Sequence, residues 1–490
     1  MPHPKTLREL KKTGYAALSV KDEIRRNLAR KIRAKEPVFP GIVGYDRTVI
    51  PQIENALLAK HDLILLGLRG QAKTRIIRAL TSLLDERVPA IEGCALNDDP
   101  LHPVCSRCRR LASELGEQIE IRWITREERY QEKLATPDVT MADLIGDIDP
   151  IKAARERLDL SDEGVIHYGI VPRTNRGIFA LNELPDLQPR IQVGLLNILE
   201  EKDLQIRGFP IRLPLDLLLV FTANPEDYTN RGNIITPLKD RIDSQIITHY
   251  PQTVDDAIAI TAQEAWVDRG QPFRMPRFIQ EIVEEIAFEA RKSEFVDQSS
   301  GVSARLPISA YENLLSNIER RVLLTGEERW TPRMCDLYSA LPAITGKIEL
   351  VYEGEQEGPT IVSLTLIGKA INKVFQRHFP AVYKSKDGKE EPGKGPGPYK
   401  EISDHFAGGG RIEISDEMPF ADYYAELSKV PGLKAIAKKQ MRPADEEEMA
   451  TVMEFVLDGL HQNSLVAKEA LDQRVRYSDM LANMFKNMKG

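Results

Sequence analysis

The sequence predicts an α/β protein built on a parallel sheet and followed by a helical region. Three observations carry this. Between about 39 and 250, apolar runs of strand length alternate with helical stretches, the pattern of strands covered on both faces by crossover helices. The first run, Asp62-Leu-Ile-Leu-Leu66, leads directly into Gly67-Leu-Arg-Gly-Gln-Ala-Lys-Thr74, and a helical spacing of Ile76, Ile77, Leu80, Leu83 and Leu84 follows. From about 251 to 345 the strand-length runs cease and helical periodicity takes over, from Val254 to Thr345.

Taken in order, residues 1 to about 38 are charged and mostly helical in spacing, closed by Pro37 and Pro40. The candidate core strands are 62–66, 119–124, 177–181, 217–222 and 246–250. Most are short, apolar and bounded by polar, Gly or Pro residues, as strands buried on both faces are. The run 119–124 alternates, with Glu120 and Arg122. Residues 384–411 carry seven Gly and three Pro, which predicts a flexible stretch. The expected domains are a helical segment 1–38, a nucleotide-binding α/β domain 39–250, a helical domain 251–345 and a C-terminal extension 346–490.

The 490 residues exceed what one core supports. A net charge of −7 argues against a general nucleic-acid surface. The longest apolar run, 213–223, is interrupted by Pro214 and Asp216 and is too short to span a bilayer. The N-terminal residues have no apolar signal core, and four cysteines require no disulfide framework, so a cytoplasmic location is expected.

The segment 67–74 nearly fits the phosphate-loop pattern G-x-x-x-x-G-K-[ST], with Ala72 at the second glycine. Gly67, Gly70, Gln71 and Ala72 would turn backbone N–H groups toward phosphate, Lys73 would reach the β- and γ-phosphates, and Thr74 would place its hydroxyl on Mg²⁺. The alternative is a Gly-rich strand-to-helix turn with a chance Lys-Thr. Four later features supply what ATP hydrolysis needs. The run 177–183 reads as a buried strand ending in two polar residues, Asn182 and Glu183, at the metal side and at the attacking water respectively. The run 217–224 reads as a buried strand ending in Asn224, whose amide can orient that water. Arg241, in Pro237-Leu-Lys-Asp-Arg241, can be presented to a neighbouring subunit's γ-phosphate, and Arg305 starts a helix from which it can report nucleotide state. Each alone also fits a bland role: a polar turn before Pro185 or Pro225, or a surface arginine.

With these residues the chain resembles the AAA+ ATPases, in the branch holding the magnesium-chelatase ATPase subunit and the MoxR-type ATPases. The resemblance covers about 38 to 345. It rests on 67–74, Gly146-Asp-Ile-Asp-Pro150, Arg176-Gly-Ile-Phe-Ala-Leu-Asn-Glu-Leu184, Thr222-Ala-Asn-Pro225 and 237–241, with 164–175 similar to the branch's helix-two insertion and 204–214 to the hairpin before the Asn-bearing strand. It implies a five-stranded parallel P-loop sheet, a helical lid, a hexameric ring with ATP between subunits, and remodelling of a partner, often one with a von Willebrand factor A-type domain. Two departures stand out. Ala72 adds a methyl where backbone approaches phosphate, and Asn182 lacks the usual negative charge toward Mg²⁺. Slow hydrolysis is therefore expected, with a non-hydrolysing scaffold that assembles on ATP as the rival. An enhancer-binding activator would carry a Gly-Ala-Phe-Thr-Gly-Ala loop, which is absent.

Three of the four cysteines lie close together: Cys94, Cys105 and Cys108, with His102 among them. One C-x₂-C pair lets two thiolates reach one tetrahedral ion, and Cys94 and His102 would complete a structural Zn²⁺ site. Ordinary reduced thiols, an iron–sulfur cluster or a redox pair are the alternatives.

Overall fold

The computed structural model describes residues 3–157, 159, 163–200, 213–224, 233–270, 273–382, 385–386, 389–390, 397–471 and 474–480. It divides into two compact units, Met1–His249 and Tyr250–Gly490. Among the described residues no helix is long and apolar enough to cross a membrane.

The first unit is built on five parallel strands: β1 (Leu63–Leu66), β2 (Tyr130–Leu134), β3 (Gly177–Asn182), β4 (Leu217–Ala223) and β5 (Ser244–Ile247). Their spatial order is β2-β3-β4-β1-β5. Every residue of β3 and β4 is buried, so these strands read as unbroken apolar runs. The strand period of two sends alternate side chains to opposite faces. Leu63, Leu65, Ile178, Ala180, Leu218 and Val220 enter one apolar cluster, and Ile64, Phe179, Leu181, Leu217, Leu219 and Phe221 enter the other.

The helix Val20–Ala34 covers the first face with Val20, Ile24 and Leu28, a four-residue stripe. It starts where the Ser19 hydroxyl accepts from the Asp22 N–H and ends at Lys35 in the left-handed conformation. A buried ion pair, Arg129 to Glu23 at 2.6 Å, ties it to the chain entering β2.

One expected core strand is corrected. Ile121–Thr125 pairs antiparallel with Arg87–Ile91 in a separate two-stranded sheet, and Tyr130–Leu134 takes the edge place beside β3. The alternation with Glu120 and Arg122 belongs to a ribbon with one wet face. The edge strand itself is only half-buried, which is why Tyr-Gln-Glu-Lys-Leu carries so little apolar signal. Between β2 and β3, Gly146–Ile148 pairs antiparallel with Ile166–Tyr168, so the segment 164–175 contributes one strand of a small hairpin. The expected hairpin at 204–214 lies outside the described residues except for its last two positions.

The second unit is mainly helical. Its principal helices are Arg277–Ala290, Arg305–Thr325, Pro359–His378 and Glu446–Gln462. A three-stranded antiparallel sheet of Ile412–Ser415, Ala467–Leu471 and Arg474–Ser478 joins them. A single apolar cluster runs from Ala265 to Tyr477, with Phe278 stacked on Phe455 at 4.7 Å. Helices on both sides of residue 345 therefore share one core. Within the Gly- and Pro-rich stretch, Lys400–Ala407 is a helix and not a flexible segment. Tyr399, Ile402 and Phe406 recur at three and four residues and are buried, which anchors it despite the flanking glycines.

Candidate functional site

The order of the sheet places the C-terminal ends of β1, β4 and β3 side by side. Loops leaving that edge are where α/β proteins gather a ligand site. The phosphate-loop segment leaves β1 at Gly67, whose N–H donates to the Ala223 carbonyl at the end of β4 at 3.1 Å. A Cβ on Gly67 would lie 1.9 Å from Thr248 Oγ1 and 2.2 Å from Gln71 Oε1, so any larger residue would displace the Thr248 and Gln71 side chains from their mutual hydrogen bond. Gln71 is held on both sides: Thr248 donates to its Oε1 at 2.7 Å and Tyr45 donates to its carbonyl at 3.0 Å.

Gly70 has φ +75°, and Ala72 has φ +57° and ψ +13° as the residue before the helix Lys73–Ala79. Ala72 is thus a non-glycine held in the left-handed region, at a cost of about 1–2 kcal/mol. Thr74 follows in the first turn of that helix.

Lys73 is buried, and its ammonium donates to Asn224 Oδ1 at 2.6 Å, to the Leu68 carbonyl at 3.0 Å and to the Gly67 carbonyl. Asn224 in turn donates through Nδ2 to Glu183 Oε2 at 2.8 Å. One amide therefore joins the loop lysine to the carboxylate at the end of β3. Glu183 sits at φ +56°, ψ +49°, where the strand breaks into the turn Leu184–Asp186, and its N–H donates to Thr222 Oγ1 at 3.0 Å. A left-handed non-glycine at this point is a strained placement held by its surroundings.

Asn182 does not stand alone at the end of β3. Its Nδ2 donates to Glu132 Oε1, on the neighbouring edge strand, at 2.6 Å, and its Oδ1 accepts from Thr222 at 3.2 Å. Glu132 also accepts from Arg78 at 2.8 Å and from Tyr130 at 3.0 Å. Burial pushes the Glu132 carboxyl upward, but the hydrogen bonds from Arg78, Tyr130 and Asn182 and the Arg78 charge outweigh it and hold it below its ordinary value. It is ionised at neutral pH. Sequence reasoning missed this carboxylate. No spacing in the sequence marks it, because Glu132 lies in a polar run 50 residues before Asn182.

Arg241 closes the helix Thr236–Arg241 and donates to the Pro237 carbonyl of its own helix at 3.0 Å. That bond is separate from the Lys73–Asn224 and Asn224–Glu183 bonds. Arg305, in the second unit, is exposed at the start of Arg305–Thr325.

The cysteines do converge. Cys94, Cys105 and Cys108 are buried together, but their fourth neighbour is Asp98, while His102 is exposed and outside the group.

A five-stranded parallel sheet with a phosphate loop on β1, and the polar ends of β3 and β4 turned to the loop lysine, define a P-loop protein of the AAA+ class. No family model matches the chain. Among curated proteins, the magnesium-chelatase subunit ChlI homolog of Methanocaldococcus jannaschii is 30% identical over 205 residues, 40% of this chain and 52% of that protein. The magnesium-chelatase subunit ChlI of a Nostoc species is 26% identical over 251 residues, 50% of this chain and 63% of its own. The AAA+ core is thus magnesium-chelatase-like, and the chain spans somewhat over half the length of these relatives. Solved structures that align with it include the BchI–BchD complex of magnesium chelatase (20% identity, TM-score 0.33, 66% of this chain and 99% of that one). NtrX from Brucella abortus in complex with ATP also aligns (13% identity, TM-score 0.36, 59% and 52%).

Proposed function

We propose that this chain binds Mg·ATP on Gly67–Thr74 and hydrolyses it slowly, as one subunit of a homo-oligomeric AAA+ ring, by expectation a hexamer, that remodels a partner protein. The observation that carries this reading is the continuous link from Lys73 through Asn224 to Glu183. Those three residue types, on a loop and two adjacent strand ends, are what positioning a γ-phosphate and a water requires.

The geometry supports the following roles. Lys73 exchanges the loop carbonyls of Gly67 and Leu68 for phosphate oxygens. Glu183 accepts the proton of the attacking water, and Asn224 keeps that carboxylate and the lysine at fixed separation. The donor set fits a magnesium ion: Thr74 offers a hydroxyl, Asn182 an amide oxygen, and Glu132 the negative charge that Asn182 lacks. Such an ion neutralises charge on the β- and γ-phosphates. Arg241 acts on a neighbouring subunit's nucleotide, and Arg305 responds to nucleotide state. A partner with a von Willebrand factor A-type domain fits the resemblance to the chelatase subunits, and four cysteines that require no disulfide framework support a cytoplasmic location. Ala72 slows the cycle by narrowing the loop.

Nucleotide titration and phosphate release test this reading. Lys73→Ala should lose ATP binding. Glu183→Gln should keep binding and lose turnover by about 10²–10⁴-fold, the usual worth of a positioned base. Equal hydrolysis by Glu183→Gln and the parent would refute the assigned role. Tight binding without any turnover in the parent would leave the assembly scaffold instead.

A further inference from the structure

We propose that Cys94, Asp98, Cys105 and Cys108 form a structural zinc site, independent of the nucleotide site. The ligand atoms of these four buried side chains all lie within 4.8 Å of one another. A tetrahedral ion with Zn–S bonds of about 2.3 Å sets its sulfurs about 3.8 Å apart. Cys94 Sγ and Cys105 Sγ are 4.0 Å apart. That is nearly twice a disulfide bond of about 2.05 Å. All four ligand atoms within 4.8 Å is also a tighter group than an iron–sulfur cluster holds, since there the four ligands are spread over two or four irons.

Asp98 is the second, independent observation. It is fully buried, and its Oδ2 accepts the N–H groups of Val104 and Cys105 at 3.0 and 2.9 Å. Its Oδ1 is buried with no hydrogen-bond partner, a cost a protein rarely leaves uncompensated. A cation among the thiolates is the partner that oxygen lacks.

The backbone is already arranged for thiolates. The N–H groups of Leu96 and Asp98 point at Cys94 Sγ, both at 3.4 Å, and the N–H of Cys108 points at Cys105 Sγ at 3.3 Å. Such bonds favour the charged sulfur that a metal needs. Cys105 caps the helix Ser106–Leu115, so Cys105 and Cys108 lie one turn apart. Asn97, at φ +54°, turns the chain so that Cys94 and Asp98 face the same point.

The ion would fasten a segment with little core of its own. That segment packs on the approach to β3: Asn97 Nδ2 donates to the Arg173 carbonyl at 3.1 Å, Asn175 Nδ2 to the Leu96 carbonyl at 2.8 Å, and Arg176 pairs with Asp99 at 2.8 Å. The chain then enters β3, which ends at Asn182. Zinc here stabilises the folded loop by the binding energy itself.

The test uses the full chain, purified without chelators. Elemental analysis should find one zinc per chain, and a thiol reagent under native conditions should spare three thiols that become reactive once a strong chelator removes the ion. Cobalt added to the stripped protein should give the intense visible bands of a tetrahedral thiolate site, lost in Cys108→Ser and altered in Asp98→Asn. Lys73→Ala should bind zinc as the parent does. Should a variant fail to fold, the parent's own zinc content and chelator-dependent thiol count still decide. Absence of stoichiometric zinc, iron with labile sulfide, or thiols indifferent to the chelator would each overturn the proposal.

Discussion

Replacing Asn182 by aspartate tests the pairing of residue 182 with Glu132, and with it the proposed magnesium position, directly. The Asn182 amide now donates to Glu132 Oε1 at 2.6 Å. In Asn182→Asp a second carboxylate oxygen takes that place. Two unit charges about 3 Å apart repel by roughly 5 kcal/mol at an effective dielectric of 20. The pair escapes by holding one proton, and protonating an ordinary aspartate at pH 7 costs about 4 kcal/mol. Arg78, paired with Glu132, and partial water access reduce this further, so the expected loss is about 2–3 kcal/mol. The shared proton raises a folded-state pKa, so stability is intact at low pH and lost as pH rises. The gap to the parent should close toward pH 4 and reopen above it. Mg·ATP supplies the missing cation and should recover most of the loss. Thermal unfolding of the first unit, in chelator and then in Mg·ATP, reads this as a shift of about 5–10 °C. If parent and variant unfold together in chelator across that pH range, Glu132 does not face residue 182 and its assigned role falls.

Two further outcomes are expected. Ala72→Gly relieves a left-handed alanine worth about 1–2 kcal/mol and gives back about 0.5–1 in chain entropy. The variant should therefore be equal to or slightly more stable than the parent in denaturant titration and should bind ATP more tightly; clear destabilisation would contradict the backbone geometry. Burial raises Glu284 from its ordinary 4.5 to about 7, against the Thr261 hydrogen bond and the Arg291 charge. The unfolded chain ionises first, so this carboxyl costs the folded state about 3 kcal/mol as pH rises from about 4.5 to 7. Glu284→Gln should gain on the parent between pH 5 and 8 in melting experiments, and parallel stability curves would exclude the carboxyl as the cause.

How far the site was legible depended on where each residue sits in the sheet. β3 and β4 are buried on both faces, so their sequences are continuous apolar runs and their polar ends stand out. That made Glu183 and Asn224 readable. β2 lies at the edge and is half-wet, so Tyr130–Leu134 carries little apolar signal, the run at 119–124 was taken in its place, and Glu132 went unseen. The cysteine pair was plain from spacing, but the fourth group was not. Asp98 sits in Asn97-Asp-Asp-Pro100, which reads as a turn, and only its burial beside Cys94 separates it from the exposed His102.

The local pattern alone determined the phosphate loop, the alternation of strands and helices, and the strand ends that carry Glu183 and Asn224. These depend on the period of side chains along one segment, which nearest neighbours in sequence record. Tertiary structure decided which strand lies beside β3, that Glu132 answers Asn182, and that Asp98 joins the thiols. Each is a meeting of residues distant along the chain or hidden by burial, and no spacing rule encodes such a meeting.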